Sequence, residues 1–199
     1  MKILFLPLAL FFFLNPAFSK TIVFVGDSLT EGYGVAKESA YPNLLPALFK
    51  ERMEKEVVIV NGSVSGSTTA SASSRFRWFL RSKPDILVLA LGANDGLRGL
   101  SLPESQKNLE DVILLAKAEK MKIVLAGMLM PPNYGDDYRK QFETLFKDLV
   151  KKHELIFIPF LLEGVAGVKE LNQADGIHPN EKGHKIMAET VYKILGPLL

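Results

Sequence analysis

Four short segments of this chain carry the residue types that acyl transfer to water requires. They are Gly26-Asp27-Ser28-Leu29-Thr30, Asn61-Gly62-Ser63-Val64-Ser65-Gly66-Ser67, Gly92-Ala93-Asn94-Asp95-Gly96 and Asp175-Gly176-Ile177-His178-Pro179-Asn180. Such a reaction needs a hydroxyl nucleophile, an imidazole to take its proton, a carboxylate to orient that imidazole, and donors for the oxyanion. Ser28 follows a tight glycine turn, and its backbone N–H can face a developing oxyanion. Gly66 offers a second N–H with no side chain in the way, and Asn94 a side-chain amide. His178 is the natural base. Asp175, three residues earlier in the same loop, can accept from its other ring nitrogen and fix the tautomer.

Each piece alone is weak, since glycine, Asn and Asp are ordinary turn residues and most serines are solvated. The other two histidines are poorer candidates. His153 ends a charged stretch after Lys151-Lys152, where a cation suits a helix C-terminus, and His184 lies between Lys182 and Lys185. Asp27 and Asp95 compete with Asp175 for the acid role. Asp27 adjoins the nucleophile, which suits it better to supporting the turn.

The elements that must position these groups alternate along the chain. Apolar, β-rich runs occur at Thr21–Gly26, Val57–Asn61, Asp85–Gly92, Lys122–Met128 and Leu155–Phe160. Helical periodicity fills Pro42–Glu54, Thr69–Arg81, Pro103–Lys120, Asp137–His153 and Asn180–Ile194. Within the third of these, Leu109, Val112, Ile113 and Ala116 form an apolar stripe, Ser101 is placed to cap and Pro103 suits the first turn. Strand-helix alternation predicts parallel strands with right-handed crossovers. The run Ile86–Leu91 is apolar on both faces, as in a sheet covered on both sides. The expectation is one three-layer α/β domain over residues 20–199 with about five parallel strands. In such folds sites form beyond the carboxyl ends of the strands, where the loops named above fall.

Composition limits the alternatives. There is no cysteine, so disulfides, cysteine-held metals and a thiol nucleophile are excluded. Residues 1–19 read as a secretory signal: Lys2, an apolar run from Ile3 to Leu14, a break at Asn15-Pro16, and small Ala17 and Ser19 before Lys20. That run is shorter than the ~20 residues that span a bilayer, so no stable membrane anchor is expected after cleavage, and the location is periplasmic or secreted. Without Lys2 the net charge falls from +2 to +1, which argues against nucleic acid. Arg77 and Arg81 share a helix face apart from Arg75 and read as a solvated surface. The G-x-S-x-G elbow is absent around Ser28. Gly32-Tyr33-Gly34 begins a dinucleotide-like fingerprint, but Lys37 stands where its third glycine belongs. There is no P-loop and no H-E-x-x-H, and no cofactor or metal is expected. Asn61-Gly62-Ser63 matches a glycosylation sequon by coincidence, at a strand end inside the presumed site.

Taken in order, Gly-Asp-Ser-Leu, Gly66, Gly92-Ala93-Asn94-Asp95 and Asp175–Asn180 resemble the four blocks of the SGNH (GDSL) hydrolases, most of all their bacterial periplasmic arylesterase, thioesterase and lysophospholipase branch. The runs Asn94–Gly99 and Pro131–Gly135 add to the resemblance, which spans the whole mature chain. One departure is Ala93, where relatives often carry a second glycine before Asn. The resemblance implies a flavodoxin-like α/β/α fold, a Ser28–Asp175–His178 triad, and an oxyanion hole of Ser28, Gly66 and Asn94. Leu97, Met130 and Tyr134 are candidates for the substrate groove, although Met128 and Met130 suit a strand-end core equally well. The expected partner is a small-molecule ester or acyl thioester, with lysophospholipid a further candidate, met by a monomer. Two rivals are a carbohydrate O-acetylesterase with the same triad and a flavodoxin-like binding module without turnover.

Overall fold

The computed structural model describes residues 19–199, so the proposed signal segment lies, apart from Ser19, outside the described residues. Five strands form one parallel sheet: β1 (Lys20–Gly26), β2 (Val57–Asn61), β3 (Ile86–Ala90), β4 (Lys122–Ala126) and β5 (Ile156–Ile158), in the order β2-β1-β3-β4-β5. The helices are α1 (Ser28–Glu31), α2 (Tyr41–Met53), α3 (Ala72–Phe79), α4 (Ala93–Leu97), α5 (Leu102–Ala118), α6 (Asp136–His153) and α7 (Glu181–Leu195). This is the flavodoxin-like strand order.

Side-chain alternation along the central strands divides the interior in two. Ile22, Phe24, Ile86, Val88 and Val124 face α2 and α7, packing with Tyr41, Leu45, Phe49, Met187 and Val191. Val23, Val25, Leu87, Leu89 and Leu125 face α3, α5 and α6, packing with Phe76, Leu109, Val112, Phe142 and Phe146. Strands apolar on both faces thus find helices on both faces. The α5 stripe of Leu109, Val112, Ile113 and Ala116 is wholly buried, and Ser101 caps that helix by accepting from the Glu104 N–H at 3.4 Å.

Two element assignments are corrected. Thr69–Arg81 is not a single helix but a 3₁₀ turn (Thr69–Ser71), α3, and a second 3₁₀ turn (Leu80–Ser82). Thr69 gives its N–H and hydroxyl to Asp95, which sets the entry, and Lys83 in the left-handed region (φ 47°) ends the segment. The third, fourth and fifth strands stop at Ala90, Ala126 and Ile158, short of the expected Gly92, Met128 and Phe160. Their ends peel away into the loops that matter for chemistry.

Strand order fixes where those loops meet. The chain leaves β1 toward β2 on one side and then crosses to β3 on the other, so β1 and β3 flank the topological switch point. Ser28 follows β1, and Asn94 follows β3.

Candidate active site

Ser28 is the first residue of α1 and leaves β1 through Gly26 and Asp27. A Cβ on Gly26 would collide with the Thr30 side chain, so only glycine fits this tight exit. Asp27 caps the helix by accepting from the Leu29 N–H at 3.1 Å, and its carbonyl accepts from the Thr30 and Glu31 N–H groups. As the first helical residue, Ser28 has an N–H with no acceptor inside the helix.

Asp27 is buried, and desolvation raises its pKa to about 6 against the opposing pull of the Leu29 N–H and of the nearby His178 and Arg75. The folded protein therefore keeps a proton at Asp27 that the unfolded chain loses near pH ~3.9. Between these values the native state binds more protons, so stability falls as pH rises, and the deficit persists above pH 6. Asp27→Asn keeps the capping oxygen and removes the titration. Urea denaturation at pH 4 and pH 7 should show the variant gaining roughly 2 kcal/mol on the wild type across that range. An unchanged difference at the two pH values would contradict the burial argument.

His178 stands between the other two members. Its Nε2 lies 3.0 Å from Ser28 Oγ and its Nδ1 2.7 Å from Asp175 Oδ2. The second Asp175 oxygen accepts from the backbone N–H groups of Ile177 and His178, both at 3.0 Å. The His178 N–H is the largest of the influences that hold the Asp175 carboxyl down to about 2, with the imidazole and the Ile177 N–H adding to it.

The loop carrying Asp175 and His178 is closed by its own hydrogen bonds. Asn172, buried, donates to the Val165 and Val168 carbonyls and bridges to Pro179. Gln173 donates its N–H to the His178 carbonyl at 2.8 Å and its amide to the Tyr33 and Pro179 carbonyls. Asn180 then caps α7 through the Lys182 and Gly183 N–H groups. The Gln173–Tyr33 bond ties this loop to the one that follows Ser28, and the Tyr33 ring packs 4.8 Å from the His178 ring.

The other donors expected for an oxyanion come from the segments that follow β2 and β3. Gly66 takes φ 74°, a conformation costly for any residue with a side chain. Asn94 sits on the first turn of α4, not in a loop, and one amide hydrogen goes to the Ser67 carbonyl at 3.0 Å. The amide has a second hydrogen to offer the cleft that Asn94 lines. Arg98 adds a bond to the Gly66 carbonyl at 3.1 Å.

The competing carboxylates are otherwise engaged. Asp95 is buried and accepts from the Thr69 N–H, the Thr69 hydroxyl and the Ser105 hydroxyl, fastening α4 to the segment before α3 and to α5. The rival histidines are also accounted for. His153 pairs with Glu110 at 2.6 Å. His184 accepts from the Tyr41 N–H at 3.3 Å, and burial, with a smaller push from His178, lowers its pKa to about 4.

A cleft of about 520 Å³ opens at Ser28 and His178, walled by Leu97, Met128, Met130, Phe160, Leu162 and Ile177. Two of the three groove candidates, Leu97 and Met130, line it, and Met130 is at the same time core, at 4 % exposed. Tyr134 does not line it: its hydroxyl donates to the Leu97 carbonyl and its ring stacks on Tyr138, so it braces the end of α4 from behind. Among the described residues no cluster of three or more His, Asp or Glu is placed to hold a metal, and no helix is long and apolar enough to cross a membrane.

The sequence reading missed Glu31, Asn61 and Arg75. Glu31 accepts from the Ser65 N–H and hydroxyl, and Asn61 donates to the Thr30 carbonyl, so both fasten the second loop to the first. Arg75 reaches the Gly26 and Gly62 carbonyls. Its only signal in the sequence is that it lies off the face shared by Arg77 and Arg81.

Residues 24–186 match the GDSL-like Lipase/Acylhydrolase family. The chain is 36 % identical over 196 residues to Esterase TesA of Pseudomonas aeruginosa, covering 96 % of each chain. It is 31 % identical over 184 residues to Thioesterase 1/protease 1/lysophospholipase L1 of Escherichia coli K12, covering 92 % of this chain and 86 % of that one. The crystal structure of TesA superposes with a TM-score of 0.86 at 36 % identity, over 90 % of this chain and all of that one. With the strand order, the four convergent loops and these likenesses in agreement, the chain belongs to the GDSL-like lipase/acylhydrolase family.

Proposed function

We propose that the protein is an exported serine esterase that also accepts acyl thioesters, with Ser28 as nucleophile, His178 as general base and acid, and Asp175 as the group that orients it. The observation that carries this reading is the continuous relay Asp175–His178–Ser28 at the mouth of an apolar cleft. Residues 1–19 act as the export signal, which gives a periplasmic or secreted location, and residues 20–199 form one catalytic domain. Every group the reaction needs comes from this chain, which supports action as a monomer.

The cycle runs as acyl transfer. His178 Nε2 takes the Ser28 proton as Oγ adds to the substrate carbonyl. The N–H groups of Ser28 and Gly66 and the Asn94 amide bind the resulting oxyanion. Collapse expels the alcohol or thiol, which leaves with the proton from His178. Water then adds to the acyl-serine, giving its proton to His178, and the second collapse returns Ser28 Oγ–H and releases the carboxylic acid.

The cleft supports an acyl chain longer than acetyl. Its walls are mostly apolar, with Leu97, Leu162, Ile177, Phe160 and the adaptable Met128 and Met130, and its volume is in the range of sites for whole small molecules. Away from the Ser28–His178 end the polar side chains are Arg139 and Asn172, fewer than recognition of a carbohydrate would call for. The relatives named esterase, thioesterase and lysophospholipase point the same way. Each methylene buried contributes up to about 0.8 kcal/mol, so kcat/KM for nitrophenyl esters should rise by about tenfold per two carbons until the cleft is filled. A fluorophosphonate probe should label Ser28 in the same preparation. A profile that peaks at acetyl and falls with every added carbon would refute the acyl-chain assignment.

A further inference from the structure

Resting on the reading of Ser28 and Gly66 given above, the geometry points to Arg75 as a positioning residue that sets the spacing of the oxyanion donors. Arg75 projects from α3, behind the loops that carry those donors. Its Nη1 donates to the Gly26 carbonyl at 3.2 Å and to the Gly62 carbonyl at 3.3 Å. Gly26 ends β1 two residues before Ser28, and Gly62 follows β2 four residues before Gly66. One nitrogen thus bridges the two strand exits that lead to the two backbone donors.

The bridge acts on backbone that has little freedom to shift. The Gly26 carbonyl also accepts from the Val64 N–H at 3.2 Å, so it is a node shared by both loops and by α3. Side chains are shut out at both acceptors: a Cβ on Gly26 meets Thr30, and one on Gly62 runs into the Phe79 ring of α3 itself. The helix therefore presses on the second loop through Phe79 and pulls on both loops through Arg75.

Stability alone is a poor reason for this arrangement. Among the described residues the buried Arg75 Nε and Nη2 have no hydrogen-bond partner, and burial lowers the guanidinium pKa, opposed by the charge of Asp27. An apolar side chain of similar length would fill the space without desolvating a cation. What only the guanidinium supplies is one fixed donor directed at two carbonyls. Misplacing a catalytic group by about an ångström costs up to about 10²-fold in rate. The loss on removing Arg75 should accordingly fall below that for deleting a donor outright, which is about 10²–10³.

The test compares R75M and R75K with the wild type for ester hydrolysis and fluorophosphonate labelling, with F76L as a control for loosening of the same helix. R75M should lose about 10- to 100-fold in kcat and in labelling rate, with KM within about threefold of wild type, and R75K should fall between the two. F76L, whose side chain is fully buried beside Arg75, should lose thermal stability without that loss of kcat. Wild-type kinetics in R75M would overturn the inference, and so would an equal loss in F76L at a matched melting temperature. Should R75M not fold, R75K alone decides: reduced kcat at unchanged KM supports the role, and wild-type values overturn it. A wild-type protein that neither hydrolyses esters nor labels at Ser28 would instead refute the serine-esterase reading beneath it.

Discussion

Replacing Ser28 with alanine should lower kcat for ester hydrolysis by roughly 10⁴–10⁶-fold while leaving the fold and substrate binding intact. Among the described residues the Ser28 hydroxyl hydrogen-bonds His178 alone, while the turn around it is held by Asp27, Thr30 and Gly26. Alanine is a good helix former, so little structure rests on the hydroxyl. The backbone N–H groups at positions 28 and 66 and the Asn94 amide would still bind an oxyanion, which leaves a small residual rate of direct attack by water. Steady-state kinetics with the best nitrophenyl ester, paired with circular dichroism and a thermal melt, gives the answer. Turnover within about tenfold of wild type would end the proposal that Ser28 is the nucleophile.

The second large effect is expected for Asp175→Asn, at about 10⁴-fold in kcat. Asparagine can turn its oxygen toward the Ile177 and His178 N–H groups and so preserve the loop. Its amide nitrogen then faces His178 Nδ1, across the 2.7 Å now spanned from Asp175 Oδ2. A donor there makes Nδ1 the acceptor and moves the ring proton to Nε2, the atom that must take a proton from Ser28. Geometry survives and the base is lost. Asp175→Ala also gives up the two loop hydrogen bonds, so it should reduce thermal stability more than Asp175→Asn does. Because the Asp175 carboxyl is held down to about 2, it stays ionised through the mildly acidic range. Its contribution to stability, present above the unfolded value of ~3.9, is lost only as pH falls toward 2. An acidic fall in wild-type activity at about pH 4 or above must therefore come from another group. If Asp175→Asn turned over at near the wild-type rate, Asp175 would not be the orienting acid.

Much of this is open to reading in the chain itself. The alternation of apolar runs with helical stretches determined a parallel sheet covered on both faces, because strands such as Ile86–Ala90 have no polar side to give to water. Glycine turns at strand ends, with Ser28, Gly66, Asn94 and the Asp175–His178 loop in order, determined which residues to consider, since backbone exits of that kind restrict the residues that can occupy them. Periodicity has no purchase on α1 and α4, each barely a turn long, so the sequence places Asn94 in a loop where the structure has a helix.

Only the tertiary structure shows how differently the three acids are surrounded. Asp27 is buried beside Leu29 and Arg75, Asp95 is taken up by the Thr69 and Ser105 donors, and Asp175 faces the His178 ring, differences that residue type alone does not carry. Strand order, too, lies outside sequence periodicity, because strands apolar on both faces can be neighbours in several permutations. The 3.0 Å approach of His178 to Ser28 joins residues 150 positions apart. Such contacts depend on how the sheet is ordered and on which loops meet beyond its carboxyl edge, and no local pattern of residue types encodes them.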